Sequence, residues 1–298
     1  MKPSHALWAR IGLVVVPALW STNYLIARLA DGLIGPHALA LGRWLLAGLI
    51  LLPFVWRPLV QGWPQWRREW RQLLVLGALG MYVCGAWVYV AGHSTSSTNI
   101  ALIYAITPVT IAAASAWMLH EPLRSTQRWA LGLALAGTVF IITRGDWRVL
   151  AELRLAPGDF WIMAAAASWT GYSVLLRKWP SALGPAPRLV AIIAGGLVLL
   201  VPGAVLEALV QAPTPFSARA AGLVVLAALV PGLLSYVAYS FLQRELGAAR
   251  TALMLYLAPV YGAVGAWFVL GERLGWYHLV GAAMILPSIA LATARTRP

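Results

Sequence analysis

Long apolar runs separated by short polar gaps fill the chain from end to end. A helix needs about 20 apolar residues to cross about 30 Å of hydrocarbon. Ten runs approach or reach that length, namely 11–29, 38–56, 73–92, 98–119, 127–143, 159–177, 187–209, 219–242, 249–270 and 276–294. The short gaps leave no room for a soluble domain. Backbone groups in hydrocarbon must bond within the segment, so we expect ten transmembrane helices.

The fourth and fifth runs recur as the ninth and tenth, displaced by 151 residues without a gap. Each copy has a proline inside an apolar run, at Pro108 and Pro259, and a lone glutamate after it, at Glu121 and Glu272. Neither residue type is comfortable in such a run, so chance matching is a poor explanation for the paired positions.

The earlier runs repeat as well, because Trp20 meets Trp169 at an offset of 149 residues. We therefore predict a first five-helix repeat over 1–150 and a second over 151–298. Five is odd, so the second repeat enters from the opposite side of the membrane. Inverted repeats are a recurrent transporter design, with the site at their interface. The predicted fold class is an all-α integral membrane protein, with ten transmembrane helices in two inverted five-helix repeats around a central cavity.

Composition supports the membrane assignment and gives the orientation. Of the residues, 61% are hydrophobic and only 10% are charged, whereas soluble domains carry about 25% charged residues. The net charge of +13 does not indicate nucleic-acid binding, because the arginines cluster in the gaps between runs. With both termini in the cytoplasm, 15 of the 22 Lys and Arg residues lie on that side, as the positive-inside rule favours.

Polar and aromatic side chains share helix faces in several runs, at spacings of three, four and seven. One predicted face combines Tyr82, Tyr89 and His93, and Tyr236 and Gln243 share the run of Tyr239. Such faces suit a cavity wall, although an interfacial aromatic belt or bonds between helices would give the same pattern. The predicted substrate-binding residues are Trp20, Asn23, Tyr24, Arg43, Tyr82, Tyr89, His93, Tyr104, Trp169, Tyr172, Tyr239 and Tyr256.

Arg43 is the most informative of these candidates. It lies about a third of the way into the second run, where a charge costs about 2.5–3.5 kcal/mol on insertion scales and marks a functional position by default. Its counterpart in the second repeat is Ile192, so the duplication does not explain it. Snorkelling towards the interface is the competing interpretation.

Two tyrosines precede the repeated prolines: Tyr104 before Pro108 and Tyr256 before Pro259. Proline removes an intrahelical bond, so each place is a candidate hinge beside a site wall. A passive kink is the equally simple alternative.

The acidic residues lie at or near the ends of runs, which leaves no carboxylate in mid-membrane. Proton relays usually use an acidic residue or histidine there, so we expect facilitated transport down a gradient, or weak coupling through a less obvious group. Glu121 and Glu272 are interpreted as structural caps of the following helices. The sequence has no zinc-binding HExxH pair, P-loop or nucleophile elbow. We therefore predict no enzyme activity, catalytic residue, metal site or cofactor.

In order along the chain, these features resemble the EamA type of the drug/metabolite transporter superfamily. The resemblance implies export of small metabolites, often amino acids, across a bacterial inner membrane, and within the family the chain is most similar to YddG-type amino-acid exporters. Pro122 departs from the arginine that the family often has there. The segments that carry the resemblance are Ala18–Tyr24, Arg43–Ala47, Ala101–Pro108, Glu121–Leu123, Ser168–Tyr172, Leu176–Arg177, Ala252–Pro259 and Gly271–Leu274.

Three functions remain open at this point. The first is an amino-acid exporter that works by alternating access. The second is an exporter of cationic or aromatic drugs held by cation–π contacts, against which the missing buried carboxylate counts. The third is a membrane enzyme, which would need a polar catalytic cluster. The expected partners are a small-molecule substrate and membrane lipid but no nucleic acid, and the oligomeric state stays open, with a monomer as the expectation.

Overall fold

The computed structural model describes residues 3–210, 217–270 and 273–293. Within those residues the chain is almost entirely helical and forms no strand. Each predicted apolar run coincides with one long helix, and most of these helices extend several residues beyond their run. Two short helices, Trp63–Arg68 and Arg148–Ala151, lie in the gaps after the second and fifth runs. The long helices are α1 (Pro3–Ala30), α2 (Pro36–Gln61), α3 (Trp70–Gly92), α4 (97–118), α5 (Ser125–Ile142), α6 (Pro157–Lys178), α7 (Pro185–Val210), α8 (Ala218–Leu246), α9 (248–270) and α10 (Trp276–Thr293).

Local sequence signals set where these helices begin. Pro36, Pro157 and Pro185 are the first residues of α2, α6 and α7, where the fixed φ of proline suits a helix and its missing N–H is not needed. Ser96 and Ser217 precede α4 and α8, and each side chain accepts a hydrogen bond from a backbone N–H of the first turn. Such capping satisfies donors that the helix itself leaves free.

Six of the described helices are long and apolar enough to cross a membrane, namely α1, α2, α3, α4, α7 and α8, and α10 is a shorter apolar helix. Large apolar side chains point outward, as expected for a surface in contact with lipid. Phe54 is 80% exposed, and Trp117 and Trp129 are each 79% exposed. The predicted all-α membrane fold is confirmed. The division after residue 150 and the cytoplasmic location of the termini stay predictions.

The helices pack in a pattern that stays the same when each helix is replaced by its counterpart in the other half. α1 packs against α8 and α9, and the equivalent helix α6 packs against α3 and α4. α2 pairs with α7, and α5 pairs with α10, so each of these helices contacts its own counterpart. This arrangement is what a pseudo-two-fold axis between the halves produces.

Irregular backbone recurs at equivalent places. α3 contains a π turn at Ala78–Val83, and α8 contains one at Ala228–Leu234. α4 is interrupted at Ile106, just before Pro108, and α9 passes through a 3₁₀ segment at Leu253–Leu257, just before Pro259. The prolines therefore do mark breaks in both helices. π turns inside α-helices are frequent at functional sites.

Glycines allow the closest helix pairs to approach. A Cβ on Gly77 of α3 would lie 2.2 Å from the Gly196 backbone nitrogen of α7. Likewise, a Cβ on Gly281 of α10 would lie 2.7 Å from the Gly137 carbonyl oxygen of α5. Small residues at membrane helix interfaces allow such close backbone packing.

The contact between α3 and α7 gives a stability prediction. Gly77→Ala places a methyl group against backbone that cannot rotate away, so we expect a loss of about 1–3 kcal/mol in unfolding free energy. The measurement is thermal unfolding of the detergent-solubilised protein, followed by tryptophan fluorescence. Gly132→Ala in α5 is the matched control, because its added Cβ would meet nothing within 4 Å. Equal melting temperatures for the two variants would show that the interface is looser than described.

Candidate functional site

Six aromatic rings gather where the two halves meet, and we call this set the aromatic cluster. Trp20 of α1 contacts Trp169 of α6 at 5.2 Å between ring centroids and Tyr239 of α8 at 5.1 Å. The ring planes of Trp20 and Trp169 are close to perpendicular, an arrangement that aromatic pairs prefer. The members are Trp20, Trp44, Trp169, Tyr172, Tyr236 and Tyr239.

The cluster is closed and well packed. Trp169 stacks on Tyr172 with centroids 5.2 Å apart, and Trp44 lies edge-on to Tyr236 at 4.7 Å. Tyr172 and Tyr239 are completely buried. Trp20 and Trp169 are equivalent positions of the two repeats, so their contact lies close to the pseudo-two-fold axis.

Arg43 lies beside this cluster in the protein interior, with only 4% of its surface exposed. Its Nη2 donates to the Pro231 carbonyl oxygen at 2.8 Å, and its guanidinium carbon lies 4.7 Å from the centre of the Trp44 ring. No ion pair joins Arg43 to a carboxylate among the described residues. Its side chain therefore turns into the protein and does not snorkel towards the interface.

Asn23 connects Arg43 to α3. The Tyr89 hydroxyl donates to Asn23 Oδ1 at 2.7 Å, and Arg43 Nη1 approaches the same oxygen at 3.4 Å. The amide oxygen of Asn23 thus joins α1, α2 and α3, as the interpretation of bonds between helices anticipated.

A related hydrogen bond exists in the second half. The hydroxyls of Ser173 and Tyr239 lie 2.7 Å apart, and either can donate. Tyr239 is the counterpart of Tyr89 at an offset of 150 residues, whereas Ser173 lies one residue beyond the counterpart of Asn23 at the offset of 149 found for α1 and α6. Gln243 Nε2 also donates to the Tyr239 hydroxyl at 2.7 Å. The equivalent tyrosines of α3 and α8 thus each bond a side chain of the first helix of their own half.

The two π turns accept side-chain donors from the opposite half. Ser168 Oγ donates to the Leu79 carbonyl at 2.8 Å, and the Tyr236 hydroxyl donates to the Gly80 carbonyl at 3.1 Å. In the other direction, Arg43 of the first half donates to the Pro231 carbonyl in the π turn of α8. Each half therefore bonds the irregular backbone of the other.

Several buried polar atoms near the cluster have no hydrogen-bond partner among the described residues, namely Arg43 Nε, Trp44 Nε1, Tyr172 OH and Gln243 Oε1. Buried polar groups are almost always paired, and leaving one unpaired costs roughly 1–3 kcal/mol. These atoms offer both donors and acceptors, so the region is suited to a polar ligand with an apolar part.

The structure does not bring every predicted site residue to the cluster. Tyr82 faces His37, with ring centroids 6.0 Å apart. His93 is exposed at the end of α3, 3.9 Å from Asp31. Tyr256 belongs to a separate core with Leu257. Tyr104 hydrogen-bonds the side chain of Cys84, and the side chain of Tyr24 lies outside the described part of the chain.

Irregular backbone accounts for two of these departures. Tyr82 lies in the π turn of α3 and Tyr256 in the 3₁₀ segment of α9. Hydrogen bonds there do not follow the four-residue step, so the 3.6-residue period that placed Tyr82 on a shared face fails. Tyr256 was predicted from its place before Pro259, and the break there leaves its side chain in the other core. His93 departs for another reason, because α3 ends at Gly92 and leaves it at the surface.

Sequence reasoning missed Trp44, Tyr236 and Ser173 as members of the site. Trp44 directly follows Arg43 inside a segment that carried the family resemblance, and Ser173 directly follows another such segment, Ser168–Tyr172. Tyr236 lies three residues before Tyr239 on the same run. Their positions beside predicted residues are the signal that could have identified them.

The prediction that Glu121 caps α5 is wrong. Its carboxylate does not cap α5 in the described residues but lies 3.4 Å from Arg177 Nη2. The start of α5 is instead capped by Gln127, whose Oε1 accepts a hydrogen bond from the Arg124 backbone N–H at 3.0 Å. Glu272, assigned the same role, lies outside the described residues.

Known proteins resemble this chain over nearly its whole length. An uncharacterized transporter of Archaeoglobus fulgidus is 22% identical over 292 residues, covering 95% of this chain and 96% of its own. The uncharacterized transporter YyaM of Bacillus subtilis is 24% identical, covering 91% and 89%. Protein PecM of Dickeya dadantii is 27% identical, covering 92% and 89%.

A solved crystal structure shares the fold, with a TM-score of 0.76 and 19% identity over 98% of this chain and 97% of the other. The EamA-like transporter family matches residues 7–143 and again residues 156–294. Because these matches cover most of both halves, the chain belongs to the EamA-like transporter family.

Proposed function

We propose that this transporter exports small metabolites, amino acids first among them, across a bacterial inner membrane with both termini in the cytoplasm. The observation that carries the proposal is Arg43, buried without a described carboxylate partner beside the aromatic cluster. A guanidinium binds a carboxylate strongly, and aromatic rings suit an apolar or ring-bearing side chain. This pairing is also why we propose YddG-like specificity.

Transport in this proposal proceeds by alternating access. The closed cluster must open for a substrate, and the contact between Trp20 and Trp169 lies where the halves separate. Inverted repeats can exchange conformations, which gives states open to either side with similar energies. The bonds of the equivalent residues Tyr89 and Tyr239 join α3 to α1 in the first half and α8 to α6 in the second.

We propose facilitated transport because the buried carboxylates of the described residues hold helix starts together. Glu207 accepts from the backbone N–H groups of His37 and Ala38 at the start of α2. Asp159 accepts from the Ala156 N–H and the Asn99 side chain at the start of α6. Neither lies at the aromatic cluster.

Export of cationic drugs is the weaker candidate. Aromatic rings attract cations, but the Arg43 guanidinium already lies over Trp44. Its positive charge would repel a second cation in a site of low dielectric.

Replacing Arg43 tests the carboxylate assignment. We expect Arg43→Gln to lower proteoliposome uptake of labelled L-methionine about 10-fold to 100-fold, because a hydrogen bond to a charged group is worth about 1.5–3 kcal/mol. Arg43→Lys should keep part of the uptake, since it keeps the charge but loses the planar fork. The decarboxylated analogue 3-(methylthio)propylamine is the control substrate. Equal losses for both substrates would mean that Arg43 acts by holding α8 through Pro231.

Replacing the symmetric tryptophans tests the side-chain assignment. We expect Trp20→Ala and Trp169→Ala to lower uptake of phenylalanine about 2-fold to 10-fold more than uptake of threonine, because an aromatic pair adds about 0.5–1.5 kcal/mol. Trp129→Ala is the matched control, since that ring is 79% exposed on the outer surface. Parallel losses for both amino acids would argue against ring contact with the substrate.

The energetic mode is tested with proteoliposomes that contain only the purified protein. We expect labelled phenylalanine to equilibrate saturably without an ion gradient, and an imposed proton gradient to leave its final internal concentration unchanged. Accumulation above the external concentration only under a proton gradient would contradict facilitated transport and would make His37 with Glu207 the first groups to replace.

A further inference from the structure

A second polar site lies at the end of the bundle where α4, α6 and α8 finish and α5 and α9 begin. It is a cavity of about 470 Å³, within the 300–1,000 Å³ that small-molecule sites usually occupy. We call it the charged cavity. Its lining comes from both halves and includes Glu121, Arg124, Arg177, Glu245, Gly247 and Arg250.

Both signs of charge line the charged cavity, with three arginines and two glutamates. Arg177 Nη2 and Glu121 Oε1 lie 3.4 Å apart across the two halves, and each side chain is 38% exposed. An exposed pair of this kind contributes little to stability. A ligand with one positive and one negative group can therefore insert between them and replace each partner.

Gly247 fixes the place of Glu121 in this cavity. Its φ of +82° lies in the left-handed region that favours glycine, and a Cβ there would come within 3.0 Å of Glu121 Oε2. The absence of a side chain at Gly247 thus allows the Glu121 carboxylate to lie against the turn between α8 and α9. This local arrangement keeps an acceptor at the cavity wall.

The charged cavity and the aromatic cluster are neighbours along two helices. Arg177 follows Ser173 by one turn on α6, and Gly247, the residue after the end of α8, follows Gln243 by four residues. Ser173 and Gln243 both bond the Tyr239 hydroxyl. One turn of helix advances about 5.4 Å, so a small ligand in the cavity lies next to the polar edge of the cluster.

We infer that the charged cavity is a separate, weaker binding site for zwitterionic metabolites, with arginine receiving the carboxylate and Glu121 the ammonium group. The choice of amino acids as ligands rests on the proposed function, whereas the site itself rests on the cavity and its charges. Such a site receives the substrate before or after it occupies the aromatic cluster.

The test is direct binding, measured in nanodiscs of neutral phospholipid by saturation-transfer NMR with L-methionine as the probe. Arg43→Gln protein is the background, so that the proposed carboxylate site at Arg43 does not contribute. We expect saturable binding with a Kd of the order of 1–10 mM, and a loss of at least 10-fold in affinity on adding Arg177→Gln with Arg250→Gln. The decarboxylated amine 3-(methylthio)propylamine should not bind.

Two further variants keep the test decisive. Lys178→Gln removes a neighbouring charge that does not line the cavity and should leave the affinity unchanged. Glu121→Gln preserves shape and should weaken methionine binding even if the double arginine variant fails to fold. Methionine binding that survives both Glu121→Gln and the arginine replacements overturns the inference, as does equal binding of the decarboxylated amine.

The outcomes also separate this site from lipid binding and from the proposed function. If anionic phospholipid in the nanodisc displaces methionine completely at low mole fraction, the cavity is a headgroup site and the inference fails. If methionine binds the cavity but is not transported by the wild-type protein, the inference stands and the proposed function fails. If transport depends on Arg43 but no binding is found in the Arg43→Gln background, the proposed function stands and the inference fails.

Discussion

Backbone groups inside a membrane must find their partners within the protein, and this requirement shapes the centre of the molecule. Irregular backbone is tolerated at that depth only where protein surrounds it. The π turns of α3 and α8 meet the condition by lying between the halves. Their carbonyls accept side-chain donors from the opposite half: Ser168 and Tyr236 for α3, and Arg43 for α8. The bundle is therefore connected at its centre by the segments that are least regular.

This reciprocal bonding explains why polar residues accompany the aromatic cluster. A tyrosine buries a large apolar ring and still carries a hydroxyl that can reach a carbonyl. Tyr236 does both, since it packs against Trp44 and Trp169 while its hydroxyl bonds Gly80. The same side chains that hold the halves together are thus the ones that we propose to meet a substrate, and moving the halves apart would change their partners.

Symmetry and its violation divide the roles among the residues. Tyr89 and Tyr239 are equivalent, and each bonds a side chain of the first helix of its own half, so these bonds belong to the scaffold that both halves share. Arg43 has Ile192 as its counterpart and introduces a charge on one side only. An inverted repeat by itself cannot distinguish the two ends of a substrate, but a single buried guanidinium can. The charged cavity adds a second asymmetry at one end of the bundle.

The sequence by itself determined the number and positions of the long helices. The length and apolarity of a segment are local properties, and they decide whether it can cross the hydrocarbon of a membrane. It also determined the duplication, which is visible as fixed offsets between Trp20 and Trp169 and between the paired prolines. Only the tertiary structure decided which candidates meet. Tyr82 and Tyr256 lie in backbone that departs from the 3.6-residue period, and Glu121 bonds a helix 56 residues away in sequence. A face on one helix is a local property, whereas a site depends on which helices pack together and on where their backbones bend.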